Sequence, residues 1–323
     1  MATRYLNASY SLLSYAARRY AGISLLPPLP PSLSVELSSC CNLSCPECVT
    51  GAGLLERKAS FISYSLAADI ASQVRAHVLS VWLSFQGEPM MHPEFFSIAE
   101  LFRGMNPVIS TNGHYLDREN CLSLAGSPLK KIIVSYDGVT PDVYGIYRRG
   151  GDHSLVTEGI RRLISAVRER QSGLKVVVQF LVHRRNEHEV RAAAAFAASV
   201  GAGFRIKSMQ LLDPERAGEW MPSDSRRARY PVSGGGARPA GITPSAGCLR
   251  MWTSAVITAD GDVVPCCYDK NAGHSMGNLA NSTFREIWQC GEYRIFRERV
   301  MKDRGMTDIC STCPQGRTIF FRR

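Results

Sequence analysis

The sequence alternates between short apolar runs and longer stretches with helical spacing. Six runs rich in β-branched or apolar residues begin at positions 33, 79, 106, 130, 174 and 203. Between them, segments 63–78, 155–170 and 187–202 repeat apolar residues with the period of an α-helix. Strands joined by crossover helices run parallel. The alternation therefore predicts an α/β fold with a parallel sheet, either barrel-like or open and doubly wound.

Polar and glycine-rich segments follow each of the first four predicted strands. The first strand leads into a cysteine-rich loop, and the next three lead into "QGEPMMHP", "TNGH" and "SYDG". In both α/β architectures, ligands bind at the carboxyl ends of the strands. We therefore expect these four segments to form one site at the same edge of the sheet.

The loop after the first strand carries cysteines with metal-ligand spacing. Cys41, Cys45 and Cys48 form a C-x3-C-x2-C pattern that lets three thiolates converge on one soft metal centre. An iron–sulfur cluster with three protein ligands keeps one iron open for a substrate or cofactor. A zinc site with a fourth ligand, or reduced cysteines that only pack, are the alternatives. Cys40 adjoins the pattern but points the other way along an extended chain, so we predict that it is not a ligand.

Composition restricts the class of protein. Eleven cysteines in 323 residues are too few for a disulfide scaffold, and no secretory signal opens the sequence, so we expect reduced thiols and a cytoplasmic protein. No apolar run reaches the ~20 residues that cross a bilayer. The net charge of +10 leaves an anionic partner or membrane-surface contact by the N-terminal helix open. No basic groove with interleaved aromatic residues is present, so a specific nucleic-acid partner is not expected.

The combination of C-x3-C-x2-C, "GEP", "STNG" and "SYDG" after successive strands resembles the radical S-adenosylmethionine (SAM) superfamily. The resemblance covers about residues 33–208 and implies a partial (β/α)6 TIM-like barrel. It also implies that the three cysteines hold a [4Fe–4S] cluster whose open iron binds SAM. Such an enzyme cleaves SAM reductively, with an electron from a flavodoxin or ferredoxin, to a 5′-deoxyadenosyl radical that abstracts hydrogen from a substrate.

The same resemblance implies a set of cofactor-binding residues. Gly87 is expected to let the backbone approach the cofactor, and Glu88, followed by Pro89, to accept a hydrogen bond from the SAM amino group. Either Arg148 or Arg149 corresponds to the family arginine that pairs with the SAM carboxylate. The remaining candidates around SAM are Thr111, Asn112, Gly113, Ser135, Asp137 and, less specifically, Gln179.

A second cysteine group lies near the end of the chain. It follows an apparent hairpin with an Asp260–Gly261 turn and a predicted helical segment at about 283–301. Four thiolates can close a metal site completely, either an auxiliary [4Fe–4S] cluster or zinc. The candidate ligands are Cys248, Cys266 or Cys267, Cys310 and Cys313.

This C-terminal region resembles the SPASM/twitch family of auxiliary-cluster domains, and the shorter twitch form more than the full one. The family's G-x4-C signature falls on Gly261 and Cys266, which favours Cys266 over Cys267 as the ligand. The region lacks the cysteines for two auxiliary clusters. The resemblance therefore implies one additional cluster in a small α+β domain, with zinc as the alternative.

Four other residues with reactive side chains lie outside these motifs. Cys121 and Cys290 match neither cysteine pattern and are expected to pack. His92 follows the GEP loop, where a structural role is more common than substrate contact. Asp269, close to Cys266, is a weak candidate for a general base, the only catalytic side chain the sequence offers.

Together these features predict an N-terminal extension (1–32), a radical SAM barrel (33–212), a loop or linker (213–247) and an auxiliary-cluster domain (248–323). The leading hypothesis is an enzyme that oxidises, crosslinks or otherwise modifies a peptide or small molecule, passing an electron to the second cluster. A cluster- or zinc-binding protein without turnover is the alternative. Within the linker, we expect Arg226, Arg227 and Arg229 to face an anionic part of the substrate.

Overall fold

The computed structural model describes residues 2–230, 247–311 and 313. Its centre is a sheet of eight strands in the order β6–β5–β4–β3–β2–β1–β7–β8. The strands are β1 Ser32–Val35, β2 Ser80–Trp82, β3 Val108–Thr111, β4 Lys131–Ser135, β5 Lys175–Val182, β6 Gly203–Ser208, β7 Ser254–Ile257 and β8 Val263–Val264. The helices are α1 Ala2–Ala21, α2 Tyr64–Val74, α3 Phe95–Leu101, α4 Arg118–Gly126, α5 Pro141–Tyr147, α6 His153–Glu169, α7 Val190–Val200, α8 Ala217–Trp220, α9 Arg250–Thr253, α10 Phe284–Gln289, α11 Gly291–Lys302 and α12 Asp308–Ser311.

The six predicted strands are present and pair in parallel in chain order. Short polar side chains begin several of the intervening helices: Ser63, Asp117 and Asp152 each accept a hydrogen bond from a backbone N–H of the first turn. The sheet does not close, because β6 pairs with β5 alone among the strands of the described chain. The predicted partial barrel is confirmed.

The two faces of the curved sheet have different neighbours. On β5, Phe180 and Val182 pack against Val190 of α7, so this face lies under the outer helices. Alternate residues of a strand point to opposite faces. Gln179 and Leu181 therefore point to the inner face, where Leu181 packs in the same cluster as Cys45.

The C-terminal region continues the barrel sheet instead of forming a separate one. β7 pairs in parallel with β1, with Leu33 opposite Ala255, and then turns back into the antiparallel strand β8. The turn uses Gly261 at φ +88°, a left-handed conformation that glycine adopts without strain. The predicted hairpin is confirmed, but its pairing with β1 was not expected, since sequence periodicity carries no information on strand neighbours.

The N-terminal helix α1 packs against the segments that precede β1 and β2 and against α11. Asn7 donates to the backbone oxygens of Leu29 (2.9 Å) and His77 (3.1 Å), and Arg18 forms an ion pair with Glu298 of α11. None of the helices in the described ranges is long and apolar enough to cross a membrane.

The described part of the predicted linker, residues 213–230, is packed. It contains a short 3-10 helix, Pro214–Arg216, followed by α8, and the side chains of Trp220, Met221 and Tyr230 are buried against the cysteine loop. Residues 231–246, including Arg238, lie outside the described residues. The high content of polar residues and proline concealed the few large apolar side chains that anchor this segment.

Candidate functional site

The three cysteines of the first loop lie together at the carboxyl ends of the strands. Cys45 is buried, and Cys41 and Cys48 are half-buried around it, in one apolar pocket. Burial excludes water from the pocket and so protects whatever the thiols bind. The apolar residues around them are Leu43, Tyr147, Met209, Leu211, Trp220 and Met221.

The electrostatic environment of the Cys41 and Cys45 thiols indicates a metal centre. Burial, together with repulsion from the nearby charges of Glu88, Cys45 and Cys48, raises the pKa of the Cys41 thiol to about 11. Burial also raises the pKa of Cys45, although the guanidinium of Arg148, 3.8 Å from Sγ, opposes the shift. A bound cationic centre removes this penalty by supplying the counter-charge. The donor set therefore fits an iron–sulfur cluster.

An iron–sulfur cluster distributes its cysteine ligands over different irons, whereas zinc gathers its ligands around one ion. Three cysteines of one loop can therefore hold a cluster and leave one of its irons open.

The GEP loop lies directly against the cysteine loop. Gly87 has φ +64°, and a Cβ atom there would come within 2.5 Å of the backbone oxygens of Ser38 and Cys40. Its neighbour Glu88 donates its backbone N–H to the Cys40 oxygen at 2.7 Å. We expected Gly87 to make room for the cofactor; in the structure the close approach is to the cysteine loop itself.

Glu88 is buried and joins the second and third strand ends. Its carboxylate accepts hydrogen bonds from Thr111 Oγ1 (2.8 Å), the Asn112 backbone N–H (2.6 Å) and the Met90 backbone N–H (3.1 Å). Burial raises the pKa of Glu88 to about 7 in spite of these donors. Pro89 begins the 3-10 turn Pro89–Met91 that this carboxylate caps.

Asn112 carries the connection on to the cysteine loop. Its Nδ2 donates to Asn42 Oδ1 at 2.8 Å and lies 3.9 Å from Cys41 Sγ. Its Oδ1 accepts the backbone N–H of His114 at 3.0 Å. Asn42, inside the C-x3-C-x2-C loop, was not singled out from the sequence, because an asparagine in a loop is common.

The structure separates the two candidate arginines. Arg148 turns inward and donates from Nε to Asp137 Oδ2 at 2.6 Å, whereas Arg149 is exposed and contributes its backbone oxygen to Ser44 N at 2.9 Å. Asp137 has no solvent exposure, and its other oxygen accepts the Leu181 backbone N–H at 2.7 Å. Asp137 therefore holds the Arg148 guanidinium beside Cys45. The Asp137 carboxylate itself is enclosed between Arg148 and the backbone of β5.

Ser135 and Gln179 face each other across β4 and β5 on the inner face. Both side chains are almost completely buried. Gln179 Oε1 accepts a hydrogen bond from Arg205 Nε of β6 at 2.9 Å. Gln179 was predicted to contact a ligand. In the structure its side-chain oxygen binds Arg205 of the same sheet.

Glu47 links the cysteine loop to the packed 213–230 segment. Its buried carboxylate accepts from Arg216 Nη1 (2.7 Å) and from the Leu212 backbone N–H (2.8 Å). Trp220 covers the same loop. The sequence analysis identified neither Glu47 nor Trp220. The local signal for Glu47 was its position between Cys45 and Cys48, two predicted metal ligands.

The second cysteine group is also assembled. The side chains of all four candidate ligands are buried, and burial together with the charges of Cys248 and Cys313 raises the pKa of the Cys310 thiol to about 12. Arg304 opposes this rise and donates from Nη2 to the Cys313 backbone oxygen at 3.0 Å. Four mutually destabilising thiolates again fit a bound cationic centre. The four are Cys248, Cys266, Cys310 and Cys313.

Cys266 and Cys267 have different surroundings. Cys266 is buried and interacts with the charge of Cys248, so it belongs with the four-thiol group. Cys267 is half-buried, and Arg250 Nη1 lies 3.5 Å from its sulfur. Its pKa is lowered by a hydrogen bond from Cys266 and by nearby positive charges. This arrangement agrees with the preference for Cys266.

Asp269 has a structural environment. It is buried, and its two carboxylate oxygens accept the backbone N–H groups of Gly273 (2.8 Å) and His274 (2.9 Å). These bonds hold the turn after Cys267, and they leave the proposed role as a base without support from its contacts.

The remaining candidates pack as expected. His92 is buried, with Nε2 at 2.7 Å from the Ile62 oxygen and Nδ1 accepting the Glu94 N–H at 3.0 Å. Cys121 is buried in the core. Cys290 separates α10 from α11 and accepts the Tyr293 N–H at 3.3 Å as the cap of α11.

Two family models match this chain. The model for the radical SAM superfamily matches residues 35–197, and the model for SPASM, an iron-sulfur cluster-binding domain, matches residues 248–314. Each matched range contains one of the two cysteine groups described above.

Two relatives align with most of the chain. The PqqA peptide cyclase of Gluconobacter oxydans is 27% identical over 295 residues, covering 84% of this chain and 80% of the cyclase. The mycofactocin maturase MftC of Mycobacterium tuberculosis is 24% identical over 310 residues, covering 88% of this chain and 75% of the maturase.

Solved structures share the fold. BtrN in complex with AdoMet and 2-DOIA aligns with a TM-score of 0.57 at 19% identity, over 89% of this chain and 94% of BtrN. SuiB from Streptococcus suis bound to S-adenosylmethionine aligns with a TM-score of 0.64 at 15% identity, over 89% and 73% of the two chains. At these identities the likeness shows the fold alone.

Proposed function

This chain belongs to the radical SAM superfamily and carries a SPASM domain, and from that premise we propose that it is a maturase that modifies a peptide by oxidation or crosslinking. The family assigns it a SAM-binding [4Fe–4S] cluster, SAM and an auxiliary iron–sulfur site. When bound, the cluster and SAM supply a radical that abstracts hydrogen from an unactivated carbon. The proposal of a peptide substrate rests on the alignment of most of the chain with a peptide cyclase.

The chain's own residues have separable tasks in this proposal. Cys41, Cys45 and Cys48 hold the first cluster. Glu88 joins the GEP loop to the third strand end through Thr111 and to the cysteine loop through its backbone N–H, which donates to the Cys40 oxygen. These contacts support a preformed cofactor pocket, because each connecting group is buried and hydrogen-bonded before any ligand is present.

Arg148 is proposed as the residue that meets the carboxylate of SAM. Its Nη1 already lies 3.8 Å from Cys45 Sγ, and Asp137 orients the guanidinium through Nε. A planar donor held at Nε keeps its terminal nitrogens in a defined direction. Arg149 is exposed and is the matched control for this role.

The second cysteine group is proposed to hold the auxiliary cluster. Two of its members, Cys248 and Cys266, flank the β7–β8 hairpin in the chain, and β7 pairs with β1, so one continuous sheet connects the segments that carry the two cysteine groups. This placement supports an oxidative reaction in which the substrate lies between the two centres. The electron for SAM cleavage is proposed to come from a flavodoxin or ferredoxin.

The activity is tested with protein reconstituted with iron and sulfide under anaerobic conditions. Dithionite and SAM should yield 5′-deoxyadenosine, and the variant with Cys41, Cys45 and Cys48 all changed to alanine should yield none while retaining the iron of the C-terminal group. No product from the wild type, or equal product from the triple variant, would refute the enzyme as described.

The choice of a peptide is tested separately. Short peptides encoded next to the gene are incubated with the active enzyme and analysed by high-resolution mass spectrometry. A peptide substrate should lose two hydrogens and accelerate 5′-deoxyadenosine formation. If no peptide changes mass while SAM is still cleaved, the reaction class stands and the peptide assignment falls in favour of a small molecule.

A further inference from the structure

Four basic side chains occupy the inner face of the barrel at its open edge. Arg205 and Lys207 lie on β6 opposite Gln179 and Leu181, the residues of β5 that point to the inner face. Side chains paired across neighbouring strands share a face. Arg205 and Lys207 therefore project toward the side of the sheet on which the cysteine loop packs.

The other two side chains reach the same place from different segments. Arg229 donates from Nη1 to Tyr268 Oη at 3.0 Å, and its Nη2 lies 3.4 Å from Ser208 Oγ at the end of β6. Lys270 lies two residues after Tyr268 in the C-terminal region. We refer to Arg205, Lys207, Arg229 and Lys270 as the interior cationic group.

The charges in the group act on one another. Burial is the largest cause that lowers the pKa of Lys207 to about 8; the positive charges of Arg148, Lys270 and Arg229 lower it too, while Asp137 opposes the shift. The Lys207 side chain is nevertheless exposed to solvent, so it is open to a ligand.

Among the described residues, the four cations have no ion-pair partner. Within residues 2–230, 247–311 and 313, no carboxylate lies within 4 Å of any of these four cations. The residues outside those ranges contain neither aspartate nor glutamate, so they supply no missing partner side chain. Moreover, the buried Nε of Arg229 has no acceptor among the residues that the structure describes. By contrast, Arg57 and Arg148 each bind a buried carboxylate.

The group lies between the two cysteine sites. Lys207 is paired with Leu181, which packs in the same cluster as Cys45 of the first group. Arg229 donates to Tyr268, which adjoins Cys267 beside the second group. Lys207 interacts with Arg148, which contacts Cys45. A molecule placed here would lie between both centres, where the proposed reaction requires its substrate.

The structure therefore points to a carboxylate-binding subsite: we propose that Lys207 and Lys270, with Arg229 between them, bind an acidic side chain or the C-terminal carboxylate of the peptide substrate. The proposal rests on the proposed function, since carboxylates are the anionic groups of an unmodified peptide. Cations that lack a carboxylate partner among the described residues and are partly desolvated favour an anion.

This position corrects the expectation drawn from the sequence. Arg226 and Arg227 form ion pairs with Asp224, and Arg226 is almost fully exposed. Only Arg229 of the expected three turns toward the barrel interior. The charge run in the linker is therefore divided between two surface arginines that share one carboxylate and one inward arginine.

The test measures peptide binding on the reconstituted holoenzyme with saturating SAM, without turnover. The probes are fluorescein-labelled hexaglutamate and hexaglutamine peptides, followed by fluorescence polarisation. Hexaglutamate should bind at least tenfold more tightly than hexaglutamine, and more weakly as salt rises. Lys207→Gln and Lys270→Gln should each weaken hexaglutamate binding about tenfold, the loss expected for one charge-assisted hydrogen bond. Lys207→Arg should retain binding, which separates loss of charge from misfolding.

Arg226→Gln is the matched control, because it removes one charge from the same region but from a side chain paired with Asp224. It should leave the affinity within twofold. Equal affinity for the two probes, absent binding of hexaglutamate, or an equal effect of the control would overturn the proposal. Affinity for SAM is measured in every variant: a loss of SAM binding with unchanged hexaglutamate binding would assign the group to the SAM carboxylate instead. Release of 5′-deoxyadenosine by the variants shows whether the proposed enzyme activity itself persists.

Discussion

Replacing Glu36 with glutamine should destabilise the joint between the barrel and the C-terminal region. Glu36 follows β1 and has no solvent exposure. Its two oxygens accept four hydrogen bonds: two from Arg57 (2.8 and 2.9 Å), one from the Gln86 backbone N–H (3.2 Å) and one from the Ala259 backbone N–H (3.0 Å). The residue thus ties together the first strand, the GEP loop and the segment after β7.

The magnitude follows from what the substitution leaves behind. Glutamine places an NH2 group against two of the four donors and removes the charge that balances Arg57, whose side chain is 7% exposed. Breaking one partner of a buried ion pair costs about 3–5 kcal/mol. At about 2 cal/mol/K of unfolding entropy per residue, a loss of about 4 kcal/mol lowers the melting temperature of a chain of this size by about 6 °C.

The assay is thermal unfolding of the reconstituted protein, with hydrogen exchange of residues 254–264 as a local measurement. Glu100→Gln is the matched control, because Glu100 pairs with Arg103 on the surface, where an ion pair contributes about 0–1 kcal/mol. The Glu36 variant should melt earlier, and residues 254–264 should exchange faster. A melting temperature within 1 °C of the control variant, with unchanged exchange, would refute the argument.

Two further predictions concern the charges around the metal and substrate sites. Arg304→Gln should make the midpoint potential of the C-terminal cluster more negative, because the buried guanidinium beside Cys248 and Cys310 favours the more negative, reduced state. An electron paramagnetic resonance redox titration checks this, with exposed Arg299→Gln as control; an unchanged potential would count against the assignment. Hexaglutamate affinity should fall between pH 7 and pH 9.5, since Lys207 is protonated below its pKa of about 8 and loses its charge above it. The Lys207→Arg variant should bind equally across this range, and a fall of the same size in that variant would show that another group titrates.

The sequence was sufficient for features that depend on contiguous residues. Strand and helix periods are set by the geometry of neighbouring residues, so the alternation predicted all six parallel strands. The spacing of Cys41, Cys45 and Cys48 predicted a shared centre for the same reason, because a short loop limits how far its thiols can separate. The hairpin at Gly261 follows from the conformational freedom of one residue.

Choices between chemically equal neighbours needed the structure. Arg148 and Arg149 are adjacent and identical in type, and the direction of the chain at the end of α5 decides which one meets Asp137. Glu36 and Glu47 are ordinary glutamates in the sequence, and their importance comes from burial against Arg57 and Arg216.

The interior cationic group shows the same limit. Lys207 and Lys270 are far apart in the chain and carry no motif. The register of β6 on β5 and the pairing of β7 with β1 bring them to one surface. The sequence by itself determined which elements form and which thiols are close, because those are local properties. Only the tertiary structure decided which charged side chains form ion pairs among the described residues and which do not, because ion pairing depends on distances between segments that sequence periodicity does not encode.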